Sequence, residues 1–515
     1  MQITKNIKIG QCQSILFNQT TRDVNFLEQF LVLLNPNLYR SLILKKSNRP
    51  WVWKKLNGTV SWNYENSPSI LGLIVGSSGS GKSTLAKSIY SQFSSEGFSV
   101  IIIDPHGEYN QSVLSNGGRC FSSLKTSISL LELNGLSPSL ASSEFVSILK
   151  GVMPAMGDIQ AYYLNKATMQ AYEKKGIFEN SKSTWQKKPP SLADVNEQIS
   201  QLIYSSKKPD SSIYSLKRRI DTLSASGIFS SKTHLPFQLM LNQLCSFDLS
   251  DIRSNEAQMI YVEVFLRKIY SYVQTKKINS KILVVIDEAQ NICKNSQDWT
   301  SFAGKIYQGG RKFGLNMLLI SQGFEGLDSA ISANSSAIFS FFSREPKDLE
   351  QLSGLFCSNK YSEKSKVFLE EYSNLEQFQC FFTCTTNSEI LKVNIEKPKT
   401  QNNSKSDNFV LGSMHQFLLF KKIKELLPNE KIIYNDFNTL QGNELDMSFP
   451  NRKVVLELDG MPFHSTEKQL EKDRIKDEKL NNSGWKVYRI LDDAFSEKEI
   501  GFQAKKFVNW LTEQN

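Results

Sequence analysis

Histidine is scarce in this 515-residue chain, which has 4, and its 7 cysteines are scattered without a C-x-x-C pair. Cys380 and Cys384 sit in an apolar, strand-like stretch with no histidine near. Structural zinc sites draw their ligands from closely spaced Cys and His, so none is expected. An odd number of dispersed cysteines suits free thiols in a reducing compartment better than a disulfide framework. Long apolar runs are also missing. Residues 30–34 and 282–286 are among the longest, far below the roughly 18 residues that cross a bilayer. The first residues lack an apolar core followed by a cleavage site, so no signal peptide is expected and a cytoplasmic location without membrane contact is. No internal repeat is found.

What is present is an ordinary globular composition, 40% hydrophobic and 22% charged, in a chain long enough for two or three domains. Lys and Arg number 61 against 51 Asp and Glu, a formal charge of +10. A basic excess favours an anionic partner, most commonly nucleic acid.

The most informative stretch begins at residue 70. A short apolar run stops at Gly76, and Ser-Ser-Gly79-Ser80-Gly81-Lys82-Ser83-Thr84 follows, leading into a helix-compatible segment. Backbone N–H groups of such a glycine-rich loop, aimed by the positive end of a helix, wrap the phosphates of a nucleotide. Lys82 would reach the β and γ oxygens, and the Ser83 hydroxyl would go to the Mg²⁺ that bridges them. A glycine turn that binds nothing is the plainer alternative, which the strand before and the helix after disfavour. ATP with Mg²⁺ is therefore the expected cofactor.

Strand signals recur at 70–75, 99–103, 282–286, 315–320 and 337–342, with helical segments between them. Near-continuous Val/Ile/Leu strands alternating with helices imply a doubly wound α/β core. Between about 112 and 280 the pattern is mostly helical, as in an insertion or lid. Residues 1–69 read as a small segment carrying a hairpin that turns at Asn57-Gly58. Residues 396–410 have the composition of a solvated linker, and a second domain starts at 411.

The stretch 281–288 is an apolar strand ending in Asp287-Glu288. Asp287 suits the Mg²⁺ water shell, and Glu288 suits polarisation of the water that attacks a γ-phosphate. Gln322, at the end of the next strand, would sense that phosphate, orient water, or simply cap the loop. Arg311 lies in Gly309-Gly-Arg-Lys-Phe-Gly314, where its charge could face a nucleotide, DNA or solvent. Taken in order, the phosphate loop, Asp104-Pro-His-Gly-Glu108-Tyr, Val-Val-Ile-Asp-Glu-Ala and Gly-Arg-Lys-Phe-Gly followed by Ser-Gln resemble the HerA group of the HerA–FtsK translocases, over about 68–395. That resemblance implies a RecA-like core, a hexameric ring that pumps double-stranded DNA, and ATP bound between subunits. By the same resemblance Asp104 and Glu108 lie beside the nucleotide, Gln322 senses it and Arg311 is a finger donated by a neighbouring subunit. HerA proteins usually begin with a β-barrel longer than 69 residues.

The C-terminal part holds Glu444-Leu-Asp446-Met-Ser-Phe-Pro-Asn-Arg-Lys-Val-Val-Leu-Glu457-Leu-Asp459-Gly. A hairpin turning near Asn451-Arg452 sorts these by the period-2 rule. Leu445, Met447 and Phe449 share one face with Val454, Leu456 and Leu458. Glu444, Asp446, Glu457 and Asp459 share the other, with Asp446 opposite Glu457 and their Cβ atoms about 5 Å apart. A divalent cation would relieve that repulsion, whereas compensating lysines would make it an ordinary polar face. His464 follows the strand, and a helix from about 466 carries Lys472, Arg474, Lys476 and Lys479. Residues 411–515 resemble PD-(D/E)XK nucleases of the very-short-patch-repair branch. The resemblance implies a smaller α/β restriction-endonuclease-like domain and phosphodiester cleavage with Mg²⁺ or Mn²⁺ on Asp446 and Glu457. The lysine usual two positions after the glutamate is Asp459 here, so either Asp459 joins the metal site or a lysine of the following helix substitutes. Glu425 reads as an outer ligand or a surface residue.

The expectation is a DNA translocase with its nuclease in cis, for DNA-end processing or defence against phage or plasmid DNA, with accessory proteins possible. The alternative is a transfer or packaging motor, or an ATP-gated assembly, whose C-terminal domain only binds DNA.

Overall fold

A computed structural model describes residues 6–18, 50–396 and 411–513, apart from 66, 68, 124–125, 154, 207–209, 230–239, 277–280, 297–298, 310–314, 360, 413, 437–438, 441–444, 461–466 and 493–496. The chain begins with β1 (Asn6–Asn18), β2 (Trp51–Asn63), β3 (Leu71–Val75), α1 (Lys82–Ser95) and β4 (Ser99–Asp104). Then come α2 (Asn110–Ser115), β5 (Arg119–Ser122), α3 (Pro138–Val152), α4 (Asp158–Lys174), α5 (Leu192–Ser205), α6 (Ser211–Ala225), β6 (Leu244–Asp248) and α7 (Asn255–Lys276). The core resumes with β7 (Ile282–Ile286), α8 (Ala289–Ile292), the short β8 (Asn295–Ser296) and β9 (Trp299–Thr300), α9 (Phe302–Gly309), β10 (Asn316–Ser321), α10 (Ser329–Asn334) and β11 (Ala337–Ser340). It ends with α11 (Pro346–Cys357), α12 (Glu363–Tyr372), β12 (Gln379–Cys384) and β13 (Asn387–Asn394). The last stretch is β14 (Leu411–Gly412), α13 (Met414–Leu426), β15 (Ile433–Asp436), β16 (Leu445–Phe449), β17 (Val454–Gly460), α14 (Glu467–Asn482), β18 (Lys486–Asp492) and α15 (Glu497–Glu513).

Two compact units result, one from Met1–Val100 with Ile278–Asn402 and the other from Ile101–Lys277 with Asn403–Asn515. In the first, strands run in the order β7-β10-β3-β11-β12-β13-β1-β2. The first four are parallel and the rest are joined antiparallel. β3 and β7 are buried along their whole length, which is why both read as unbroken apolar runs. α1 buries Leu85, Ala86, Ile89, Tyr90 and Phe93 along one stripe. It stops where Gly97 turns left-handed (φ 81°) and the Phe98 N–H bonds back to the Phe93 carbonyl at 3.0 Å, a Schellman closure.

The hairpin expected at Asn57-Gly58 does not form. β2 runs straight through that pair as a 13-residue strand, and its partner is β1, which also pairs with β13. The reason lies in the register. Cys12 faces Gly58 while Ser14 faces Lys55, so β2 carries one extra residue there. The turn-forming pair is absorbed by a bulge. β1 and β2 thus supply the edge of the core sheet. The stretch expected to be mostly helical also contributes two strands, β5 and β6, paired in parallel.

In the second unit one sheet runs β14-β5-β6-β4 and the other β15-β16-β17-β18. Met447, Phe449, Val454 and Leu456 pack with Leu419 and Ile423 of α13 and with Ile500, Ala504 and Phe507 of α15. This is the apolar face expected from the hairpin. Leu445 departs from it, packing instead with Val455 and Leu480 of α14. α14 covers the other face, so that face carries an apolar patch beside its carboxylates. All seven cysteines are free and buried. Among the described residues, no helix is long and apolar enough to cross a membrane.

Candidate functional site

Parallel register brings the chemistry of the first unit to one edge of its sheet. Val75 pairs with Ser321 on one side and Ser340 on the other, and Ile286 pairs with Leu319. The segments after β3, β7 and β10 therefore leave the same C-terminal edge, where open α/β sheets bind ligands.

The loop after β3 is shaped by its glycines. Gly79 and Gly81 are left-handed at φ 75° and 117°, and Gly81 caps α1. A Cβ on Gly76 would lie 2.5 Å from the Phe341 Cβ, and one on Gly81 would lie 3.0 Å from the Phe378 ring. The loop is braced from outside. The Ser77 N–H donates to the Phe342 carbonyl at 2.9 Å, Phe378 N–H to the Ser80 carbonyl at 2.9 Å and Gln377 Nε2 to the Gly79 carbonyl at 2.8 Å. Lys82 Nζ reaches across the loop to the Ser77 carbonyl at 3.0 Å. Ser83 and Thr84 are half-buried at the start of α1. The Ser80 hydroxyl is buried without a hydrogen-bond partner. An orphaned donor in a glycine cradle beside a lysine fits a phosphate group.

Asp287, 9% exposed, accepts from the Glu288 N–H at 2.7 Å. Glu288 is left-handed (φ 51°), a conformation uncommon outside glycine and concentrated at functional turns. Three amides hold its carboxylate: Gln322 Nε2 at 2.8 Å, Asn291 Nδ2 at 3.3 Å and Gln290 Nε2. Gln290 in turn accepts from Ser321 Oγ at 2.9 Å. The structure thus joins Glu288 to Gln322, and adds Gln290 and Asn291, which sequence spacing did not single out. Phe341 and Phe378 were missed too, because they approach the loop from far along the chain. Arg311 lies outside the described residues.

Asp104 and Glu108 belong to the second unit. The Asp104 carboxylate is nearly inaccessible and accepts from the N–H groups of His106 at 3.2 Å, Gly107 at 2.8 Å and Tyr109 at 2.8 Å. Burial pushes its pKa up to about 6 against those donors, with Asp248 repelling it. It shapes its own loop, and Glu108 is exposed.

In the C-terminal sheet Met447 pairs with Leu456, so the next rung sets Asp446 opposite Glu457. Both are buried, to 9% and 6% exposure. Asp446 Oδ2 accepts from the Leu458 N–H at 2.6 Å, and the Asp446 carbonyl accepts from Gln416 Nε2 at 3.2 Å. Lys476 of α14 donates to Glu457 Oε2 at 2.8 Å, so a lysine from the following helix does reach the pair. Behind it Arg489, which pairs with Glu457 in the ladder, binds Asp477 at 2.6 Å. Burial, and then the neighbouring Asp446 charge, hold the Glu457 carboxyl well above the usual carboxylate range despite Lys476. Glu457 Oε1 is buried with no hydrogen-bond partner. Two adjoining carboxylates with one orphaned oxygen fit a hard divalent cation. Among the described residues no group of three His, Cys, Asp or Glu could hold a metal ion. The Asp459 side chain and His464 lie outside them. Glu425 is exposed and paired with Lys422 at 2.7 Å, so it is a surface residue.

The fold and the phosphate loop define a P-loop nucleotide-binding core in a large α/β sheet. Residues 72–269 match the family described as "Helicase HerA, central domain" (DUF87). The chain is 26% identical over 299 residues to the DNA double-strand break repair helicase HerA of Sulfurisphaera tokodaii, a match covering 53% of this chain and 55% of that protein. The chain thus spans about half the length of the curated relative it matches. The structure is similar to that of VirB4 of Thermoanaerobacter pseudethanolicus, at 16% identity and a TM-score of 0.50, covering 63% of this chain and 89% of that one. That likeness is one of fold. The core thus has the fold and phosphate loop of a P-loop ATPase, and over residues 72–269 it is similar to the central domain of HerA.

Proposed function

We propose that this chain is an ATP-driven translocase of double-stranded DNA that carries a metal-dependent nuclease in cis. The observation that carries the reading is Glu288 held by Gln322 at the sheet edge from which the phosphate loop leaves. Lys82 and the loop amides would hold the phosphates, and Ser83 and Asp287 would hold Mg²⁺, which supplies charge for the departing phosphoryl group. Glu288 orients the attacking water, and Gln322 couples it to the nucleotide's state. The resemblance to HerA adds a ring of six copies, with Arg311 of one copy serving the nucleotide of the next, in the cytoplasm.

In the second site Asp446 and Glu457 would hold Mg²⁺ or Mn²⁺, which supplies a water of lowered pKa and charge for the departing oxygen. Lys476 fixes the Glu457 rotamer. The basic residues of α14, with Arg474 and Lys479 exposed, track the DNA backbone. Asp459 and His464 are candidates for completing the ligand set. Joining both activities in one chain keeps cleavage local to the DNA being moved, as end processing or destruction of phage or plasmid DNA requires. A second reading, a transfer or packaging motor whose C-terminal domain only binds DNA, is favoured by Lys476 already offsetting the Glu457 charge.

One assay tests these together. The purified chain is given ATP, Mg²⁺ and linear duplex DNA, and phosphate release and DNA length are followed. Lys82→Ala is expected to abolish ATP turnover. Asp446→Ala and Glu457→Ala are expected to abolish cutting while ATP turnover stays within about twofold. Absence of ATP turnover with DNA present removes the motor, and cutting that survives both substitutions removes the nuclease.

A further inference from the structure

The helices of the second unit enclose a cleft of about 420 Å³ that neither phosphate-handling site uses. Its wall is one face of α6, where Ser215, Arg218, Arg219 and Thr222 recur at helical spacing, completed by Ser226 and by Ser254 ahead of α7. The adjoining face of α6 is the buried one, formed by Ile213, Leu216, Ile220 and Leu223, the last of which also reaches the cleft lining. The fold therefore commits α6 to the core on one side and turns its arginines into the cleft beside it.

Charge partners separate two kinds of cation on this helix. Lys217 donates to Asp221 at 3.5 Å and to the side-chain Oδ1 of Asn196 at 3.2 Å. Arg218 and Arg219 form no ion pair with any described residue, although Glu256 also lines the cleft. Two adjacent guanidiniums that no described carboxylate pairs outnumber Glu256 in this lining and leave the concavity net positive, while the hydroxyls of Ser215, Thr222 and Ser226 are bonded to carbonyls of their own helix. Guanidinium forks bind phosphate oxygens two at a time.

We propose that this cleft grips the phosphate backbone of duplex DNA, as a contact separate from both active sites. The assignment rests on the translocase reading, since DNA is then the polyanion at hand. Adjacent arginines in a described lining that holds no aromatic side chain suit a sequence-independent grip on successive phosphates.

The test is duplex binding by the full-length chain over a range of salt concentrations, measured by fluorescence anisotropy with a labelled duplex of arbitrary sequence. Arg218→Ala/Arg219→Ala should lower the slope of log K against log salt by about 2 and weaken binding about tenfold or more at 0.1 M salt. DNA-free ATP turnover should be unchanged, and Arg218→Lys/Arg219→Lys should recover most of the slope. A double alanine variant that binds duplex with the wild-type slope overturns the cleft assignment and leaves the translocase reading standing. Wild-type chain that binds no duplex defeats both. A third arm titrates inorganic phosphate at constant ionic strength. Phosphate binding lost in the alanine variant, with an unchanged duplex slope, assigns the cleft to free phosphate and overturns the DNA assignment.

Discussion

Glu457 is placed where ionisation is costly, with burial and the Asp446 charge opposing it more than Lys476 and Arg489 favour it. Its folded-state pKa lies above the ordinary 4.5. The stabilising contribution of the protonated form is therefore fully present below that value and is lost as pH rises toward the folded one. Glu457→Gln keeps an acceptor for Lys476 and offers an amide to Asp446 without the charge. In EDTA, thermal melts of Glu457→Gln and wild type should coincide near pH 4.5 and separate as pH rises. By pH 8 the variant should be more stable by about 1 kcal/mol or more. Mg²⁺ should close the gap by stabilising only wild type. Coincident melts at pH 8 would refute this account. This pair was legible from period-2 spacing alone, since hairpin register is set by the residues on either side of the turn. The sequence offers Asp459 or a lysine of the following helix as its companion, and that Lys476 is the lysine in contact is a tertiary fact, because it depends on the reach of a helix across a sheet.

At the scale of elements, strands and loops with local causes were the readable ones. β3, β7 and β10 are marked by apolar runs, and the phosphate loop by the spacing of its own glycines. The bracing of that loop was not readable. Gln377 and Gly79 are 298 positions apart, and nothing in either neighbourhood announces the other. Asn57-Gly58 shows the opposite failure, a strong local turn signal overruled by the hydrogen-bonding partners that β1 offers. The C-terminal hairpin gives an element-level test. Leu456 sits fully buried between α13 and α15, so Leu456→Ala should cost about 2–5 kcal/mol, read as a lowered denaturation midpoint. Just above that lowered transition the domain's activity should be lost, while ATP turnover at the same temperature stays near wild type. Equal loss of ATP turnover under those conditions would show that the two activities depend on one folding unit.

For the molecule as a whole, the translocase reading requires a closed assembly, because a channel needs a complete ring around the duplex. Mass photometry with ATP, Mg²⁺ and the Glu288→Gln variant, which should hold nucleotide unhydrolysed, is expected to show six copies of the 58.5 kDa chain. A monomer under all nucleotide conditions would refute the ring.

The outermost described strand of the core sheet bears on how such copies meet. In β2, residues 54–59 are exposed without interruption, Lys54 and Lys55 among them, and the bulge interrupts the pairing there. Flat, uncharged sheet margins invite another polypeptide to zip on through its main chain, and charge with an interrupted pleat discourages it. In the proposed ring, contact between copies would thus be steered away from backbone-to-backbone annealing and toward side-chain surfaces, where it can be reversible and geometrically closed.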